Sequence, residues 1–235
     1  MFGQLFKNMP DVVKNLLIIN LLFFVAQNMI STFDYYFSLY PISSAFFKPW
    51  QLATHFFMHG NIPHIFFNMF ALVIFGSQLE KIWGPKRFLT YYFITAIGAA
   101  FLHLTVNYIR LISLESSLPD DIVVQLIQNG PVQYYNPTYN EFVGMYHIPM
   151  MGASGAVFGL LTAFGYLFPN TELMLLFPPI PIKAKYFVIG YAAIELYLGM
   201  ANNPGDNVAH FAHLGGALIG ILLVLYWNKN RNSFF

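Results

Sequence analysis

Four side chains in this sequence could together carry out acyl transfer: Ser154, His213, His64 and Asn68. A serine hydroxyl becomes nucleophilic when a base lies within about 2.6–3.2 Å of it. Histidine is the side chain most often used as that base. The tetrahedral species that follows carries a developing oxyanion, which needs hydrogen-bond donors already in place. An asparagine amide, a histidine N–H and a backbone N–H at a helix start all qualify. Ser154 stands in Gly152-Ala153-Ser154-Gly155, and His213 opens His213-Leu214-Gly215-Gly216, with Gly220 beyond. This is not the G-x-S-x-G elbow of soluble α/β hydrolases, because a glycine follows the serine directly. Each part also has a plainer reading. Gly155 with Gly159, and Gly216 with Gly220, are GxxxG pairs of the kind that pack membrane helices. A lone histidine in a bundle caps or hydrogen-bonds more often than it reacts. The readings are compatible, since close helix approach is what would bring a serine to a base.

Composition says what must position these groups. The chain has 235 residues, of which 57% are apolar and 9% charged. About 25% charged is usual for a soluble protein. So sparse a charge cannot cover a soluble domain of this size, and disorder needs the opposite composition. The net charge of +1 offers no field to gather phosphates, so nucleic acid is excluded as a partner. The absence of cysteine removes thiol catalysis, disulfides and thiolate metal sites. What remains is an all-α, polytopic membrane bundle forming one domain over 1–235, with the lipid bilayer as its surroundings.

Six segments meet the length of about 20 mostly apolar residues that a spanning helix needs. They are Val12 to Ile30, Ile62 to Leu79, Phe88 to Ile109, Met150 to Phe168, Lys183 to Met200 and Val208 to Trp227. The fifth is the weakest, because Glu195 interrupts it. These runs are too long and too evenly apolar for the alternating strands of a barrel. The first is longer than a signal-peptide core and no small-x-small site follows it, so it reads as a retained helix. With the N-terminus inside, the inner segments hold Lys7, Lys14, Lys81, Lys86, Arg87, Lys183, Lys185, Lys229 and Arg231, and the outer ones only Lys48 and Arg110. Lys and Arg favour the cytoplasmic side. The expected topology is a multi-pass protein of the bacterial cytoplasmic membrane with both termini cytoplasmic. The connection 110–148 is an extracytoplasmic insertion, in which Pro119-Asp120-Asp121 starts a short helix and Asn129-Gly130 stops it.

Depth is what unites the four reactive residues. At about 1.5 Å of rise per residue, Ser154 lies roughly 7–8 Å from the outer end of its span and His213 roughly 10 Å. His64 and Asn68 lie about 4–10 Å in, and four residues apart they share a helix face. Three helices thus bring a nucleophile, a base and two donors to one layer of the outer leaflet.

The pattern His59-x4-His64-x3-Asn68, then Gly152-x-Ser154-Gly155, then Ala212-His213-x2-Gly216-x3-Gly220 resembles the rhomboid family of intramembrane serine proteases. The resemblance runs from about Trp50 to Gly220. It implies a Ser–His dyad with Ser154 as nucleophile and His213 as base, and an oxyanion hole containing His64 and Asn68. It implies cleavage of transmembrane or juxtamembrane segments of other membrane proteins, with no cofactor and no metal. His55 and Glu80 match structural positions of the family. Where the family usually has an arginine this chain has Gln51, so an ion pair of that arginine with Glu80 is absent. Where some members stack a tyrosine on the catalytic histidine this chain has Phe158, which keeps the stacking and loses the hydroxyl.

Four further readings belong beside this one. His210 lies three residues before His213 but lacks the glycine register downstream. Glu195 falls at roughly active-site depth and reads either as a tie from the fifth helix to a neighbour or as a gate for substrate. The series His55, His59 and His64 could in principle hold zinc, but H-E-x-x-H is missing and Gly60, Asn61 and Pro63 break the spacing. A rhomboid-like protein that binds clients without cutting would have lost the Ser or the His, and both are here. His103 and His147 carry no partner pattern.

Overall fold

The computed structural model describes residues 8–174, 179–201 and 208–229. Lys7 and Arg231, which enter the charge argument, lie outside the described residues. Among the described residues the architecture is helical apart from one short pair of strands. Helix α1 is Asp11–Met29, α2 Phe33–Phe37 and α3 Gln51–Thr54, the last followed by a 3-10 turn at His55–Phe57. Helix α4 runs Ile62–Trp83 with a π-helical stretch at Leu72–Gly76. Helix α5 is Pro85–Ser117, α6 Asp120–Gln128, α7 Pro137–His147 and α8 Ser154–Leu167. Strands β1 (Glu172–Met174) and β2 (Pro181–Lys183) pair antiparallel, then α9 covers Ala184–Ala201 and α10 His210–Lys229.

Four of the six expected spans coincide closely with helices, and the third lies within a longer one. The fourth differs at its start. Met150 to Ala153 are not helical, and Met150 instead exchanges backbone hydrogen bonds with Leu39 at 2.8 and 2.9 Å. Gly152, at φ +121°, turns the chain into α8. The 14 residues of α8 rise about 21 Å, short of the roughly 30 Å of a bilayer core. The helix therefore begins at Ser154, and the depth of that residue is set by the entry loop rather than by turns of helix above it. Helices α1, α4, α5 and α10 are each long and apolar enough to cross a membrane, and α8 is apolar but shorter.

The insertion is a folded unit. The helix of the third expected span continues about two turns beyond Ile109 to Ser117, and α6 forms between Pro119 and Asn129 as the sequence indicates. A second helix, α7, was not foreseen. Leu111 of α5, Val123 and Leu126 of α6, and Phe142, Val143 and Tyr146 of α7 make a separate small core. His147 ties α7 to α6 through its Nε2, 3.0 Å from the Leu126 carbonyl.

The main core joins Val13 and Leu16 of α1, Met69 and Leu72 of α4, Tyr91 and Tyr92 of α5, Ala156 and Leu160 of α8, and Val224 of α10. Within it α10 packs against both α5 and α8. The α8–α10 approach is close because both sides are glycine. A Cβ on Gly216 would run into the Gly155 carbonyl group. Tyr91 of α5 locks the same layer by donating its hydroxyl to the Gly159 carbonyl at 2.7 Å. Glu80 accepts from the Val12 and Val13 N–H groups at 3.0 and 2.9 Å, setting a second carboxylate beside Asp11 at the start of α1. Gln51 is fully buried and clamps the loop between α2 and α3, accepting from Lys48 N at 3.0 Å and Tyr40 N at 3.3 Å.

Candidate active site

The close α8–α10 contact places a serine beside a histidine. Ser154 is the first residue of α8, and His213 is buried one turn into α10. Their Oγ and Nε2 atoms are 2.8 Å apart, within hydrogen-bond reach. The His213 ring lies flat on Phe158, one turn along α8 from Ser154, with centroids 4.3 Å apart and planes at 7°. Serine, aromatic platform and imidazole are thus held by two helices whose separation is fixed by glycine. His210 makes a different contact, to Glu195, with 2.6 Å between its Nδ1 and Oε2.

The second helix supplies the facing wall. Asn61 caps α4 by accepting the His64 N–H at 2.8 Å, with Pro63 in the first turn, where its missing N–H costs little. This cap fixes where His64 and Asn68 project. The Gly60 N–H points to His64 Nδ1 at 3.4 Å, a long contact that makes Nδ1 the acceptor and leaves the hydrogen on Nε2. That Nε2 lies over Gly152: a Cβ there would stand 2.7 Å from it and 3.7 Å from Ser154 Oγ. Glycine at 152 therefore serves both a left-handed turn and the seat of an imidazole above the serine. Asn68 is buried one turn on, donating one amide hydrogen to the His64 carbonyl at 2.9 Å. The backbone N–H groups of Ser154, Gly155 and Ala156 open α8 and have no acceptor within the helix.

Two supports were only partly legible in the sequence. The Gly152 N–H donates to the His55 carbonyl at 2.9 Å, so His55, buried in the 3-10 turn after α3, holds the serine turn. Its own Nδ1 pairs with the Gln51 carbonyl at 2.8 Å. His59 is buried and sets its ring edge-to-face on His64, with centroids 5.0 Å apart. Burial, reinforced by the neighbouring His64, pushes the His59 imidazole down to about 3, so it stays neutral beside the site. A cavity of about 510 Å³, lined among others by Gln27, Asp34, His59 and Asn61, opens next to it.

The histidine series His55, His59 and His64 does not gather into a three-donor group among the described residues. The donors that do gather are those of Glu195, His210 and His213, all within 4.8 Å of one another. Glu195, on α9, approaches His213 Nδ1 to 2.9 Å with the same oxygen that holds His210. The His213 N–H does not point straight at that oxygen, so the contact is an electrostatic approach rather than an aligned hydrogen bond. The depth of Glu195 is readable in the sequence and the identity of its neighbour is not; the signal for it is that α9 and α10 are consecutive, with Glu195 near the end of one and His213 near the start of the other.

A family model, the Rhomboid domain, matches residues 47–230. The chain belongs to the rhomboid family. Rhomboid protein 1, mitochondrial, of Saccharomyces cerevisiae is 30% identical to it over 173 residues, covering 74% of this chain and 40% of that protein. Rhomboid protease AarA of Providencia stuartii is 28% identical over 181 residues, 74% of this chain and 54% of its own length. RHOMBOID-like protein 12, mitochondrial, of Arabidopsis thaliana is 29% identical over 229 residues, 95% of this chain and 60% of its own. The chain spans about half the length of the curated relatives it matches. This rhomboid is an all-α membrane protein. Because two of these relatives are named as mitochondrial, kinship does not single out a bacterial inner membrane.

Proposed function

We propose that this rhomboid is an intramembrane serine endopeptidase that cuts transmembrane or juxtamembrane segments of other membrane proteins. One observation carries the reading: Ser154 Oγ stands 2.8 Å from Nε2 of a histidine stacked on Phe158. In the proposed reaction His213 takes the Ser154 proton as the hydroxyl oxygen attacks the scissile carbonyl carbon. The oxyanion is met by the Ser154 backbone N–H, by His64 Nε2–H and by the free amide hydrogen of Asn68. His213 returns the proton to the leaving amine, and water then releases the acyl group by the same steps in reverse. A helical peptide bond is hidden by its own hydrogen bonds, so the substrate must be locally unwound where it is cut.

The proposal includes six spans, with α8 and α9 completing the four longer ones, and both termini on the cytoplasmic side. It also takes 1–235 as one domain carrying 110–148 as an outer insertion. Water must reach Ser154 from the external face, since hydrolysis consumes it. The test is the purified chain against a panel of transmembrane reporter substrates, unaltered and as Ser154→Ala. Cleavage lost in the variant supports the reading. Cleavage that survives, or an unaltered chain that binds reporters and cuts none, sinks it.

A further inference from the structure

A carboxylate stands behind the proposed base. Glu195 is 4% exposed, on a helix with few other charges. Its Oε2 lies 2.6 Å from His210 Nδ1 and 2.9 Å from His213 Nδ1. A Cβ on Gly199, one turn along α9, would stand 3.1 Å from the His210 Cβ and 3.2 Å from the Phe211 ring, so glycine there lets the two helices sit closely at this level. If the only task of Glu195 were to tie α9 to α10, His210 would suffice. The approach to His213 is additional.

The tautomer of His213 gives that approach a purpose. Its Nε2 faces the Ser154 hydroxyl and must be unprotonated to accept from it, so the hydrogen sits on Nδ1. That Nδ1 is buried and makes no aligned hydrogen bond among the described residues. A buried N–H without an acceptor is costly. The anion 2.9 Å away is the acceptor at hand. The last torsion of a glutamate is broad, so a rotation of the carboxylate suffices to aim it. In water-poor surroundings the attraction between a carboxylate and an imidazolium is strong.

Resting on the protease reading above, we propose that Glu195, steadied by His210, is a positioning residue that completes a Ser–His–Glu arrangement. It fixes the Nδ1–H tautomer of His213 and stabilises the imidazolium formed during attack. In that step the Ser154 O–H bond breaks, the His213 Nε2–H bond forms and the serine oxygen bonds to the acyl carbon. The proton stays on His213 until it passes to the leaving amine; Glu195 never takes it.

The experiment compares the full-length chain with Glu195→Gln, Glu195→Asp, Glu195→Ala and Ser154→Ala. It measures kcat and KM on a transmembrane reporter, the labelling rate by a fluorophosphonate, and thermal unfolding. Glu195→Gln keeps shape and loses charge. Its kcat should fall roughly 10²-fold, short of the ~10⁴-fold lost with the third member of soluble triads. KM should stay within about twofold, because the charge it stabilises is absent from the ground state. Fluorophosphonate labelling should slow in parallel with kcat. Glu195→Asp should recover at least about tenfold over Glu195→Ala. A purely structural tie predicts otherwise: kcat would follow the folded fraction, and Asp and Ala would behave alike. That result, or Glu195→Gln with unaltered kcat and labelling while cleavage remains Ser154-dependent, overturns this proposal alone. Absence of Ser154-dependent cleavage in the unaltered chain overturns the protease reading with it.

Discussion

The glycine contact between α8 and α10 makes a quantitative prediction through Gly216→Ala. The added Cβ would stand 2.7 Å from the Gly155 carbonyl carbon and 3.2 Å from its Cα, and would meet the carbonyl oxygen most closely of all. Ordinary contact begins at 3.4 Å. The carbonyl carbon alone therefore demands a retreat equal to the difference between 3.4 and 2.7 Å, about 0.7 Å. The obstacle is backbone of a buried helix, so no side-chain rotation absorbs it. Carried to the site, the same retreat stretches the 2.8 Å Ser154–His213 contact to about 3.5 Å, past useful hydrogen-bond range. Overpacking of this kind costs roughly 1–3 kcal/mol of stability, and misplacing reacting groups by ~1 Å costs about 10²-fold in rate. The assay is reporter cleavage by purified protein in detergent and in liposomes, beside a thermal melt. Gly190→Ala is the control, since a Cβ there meets nothing within 4 Å. Gly190→Ala should be neutral or slightly stabilising, as alanine favours helix by up to ~1 kcal/mol. If Gly216→Ala cuts at the unaltered rate, helix proximity does not assemble the site and the packing argument is wrong.

Three further outcomes follow from the same geometry. His213→Ala should lose several orders of magnitude in kcat, whereas His210→Ala should lose less than about tenfold; the reverse order, read by reporter cleavage, would show that the base was misassigned. Asn68→Ala and His64→Ala should each cost about 10²–10³ in kcat with KM little changed, as single oxyanion donors do; restoration by added zinc, or inhibition of the unaltered chain by chelators, would point to a metal role for this helix instead. Because the chain has no cysteine, Ser154→Cys introduces a single thiol that should react with membrane-impermeant reagents added outside; labelling only from the cytoplasmic face would overturn the proposed topology.

The hydrophobic runs marked the helices well because a spanning helix must satisfy its backbone within itself, leaving a long continuous apolar signal. That signal says nothing about where backbone inside the protein departs from helix. Met150 to Ala153 are apolar or small and were read as the first turn of a span, yet the Leu39 pairing and the positive φ of Gly152 make them a turn. Helix α7 was missed because its stripe is short and packs on its own small core rather than on lipid. At the site, the Ser154–His213 pairing was legible through two glycine pairs in register. The seat of His64 over Gly152 and the approach of Glu195 to His213 were not, since both are contacts between side chains on separate elements. Gln51 shows the same limit. As a sequence feature it was a missing arginine; in the fold it is a buried clamp on the loop between α2 and α3.

The central claim is that Ser154 is a nucleophile made reactive by His213. The most direct measurement is the mass of the purified chain after reaction with a fluorophosphonate, with the modified peptide located by fragmentation. One adduct is expected, on Ser154, formed at a rate that collapses in His213→Ala while the variant remains folded. An adduct elsewhere, no adduct on an active preparation, or equal labelling with and without His213 would contradict it.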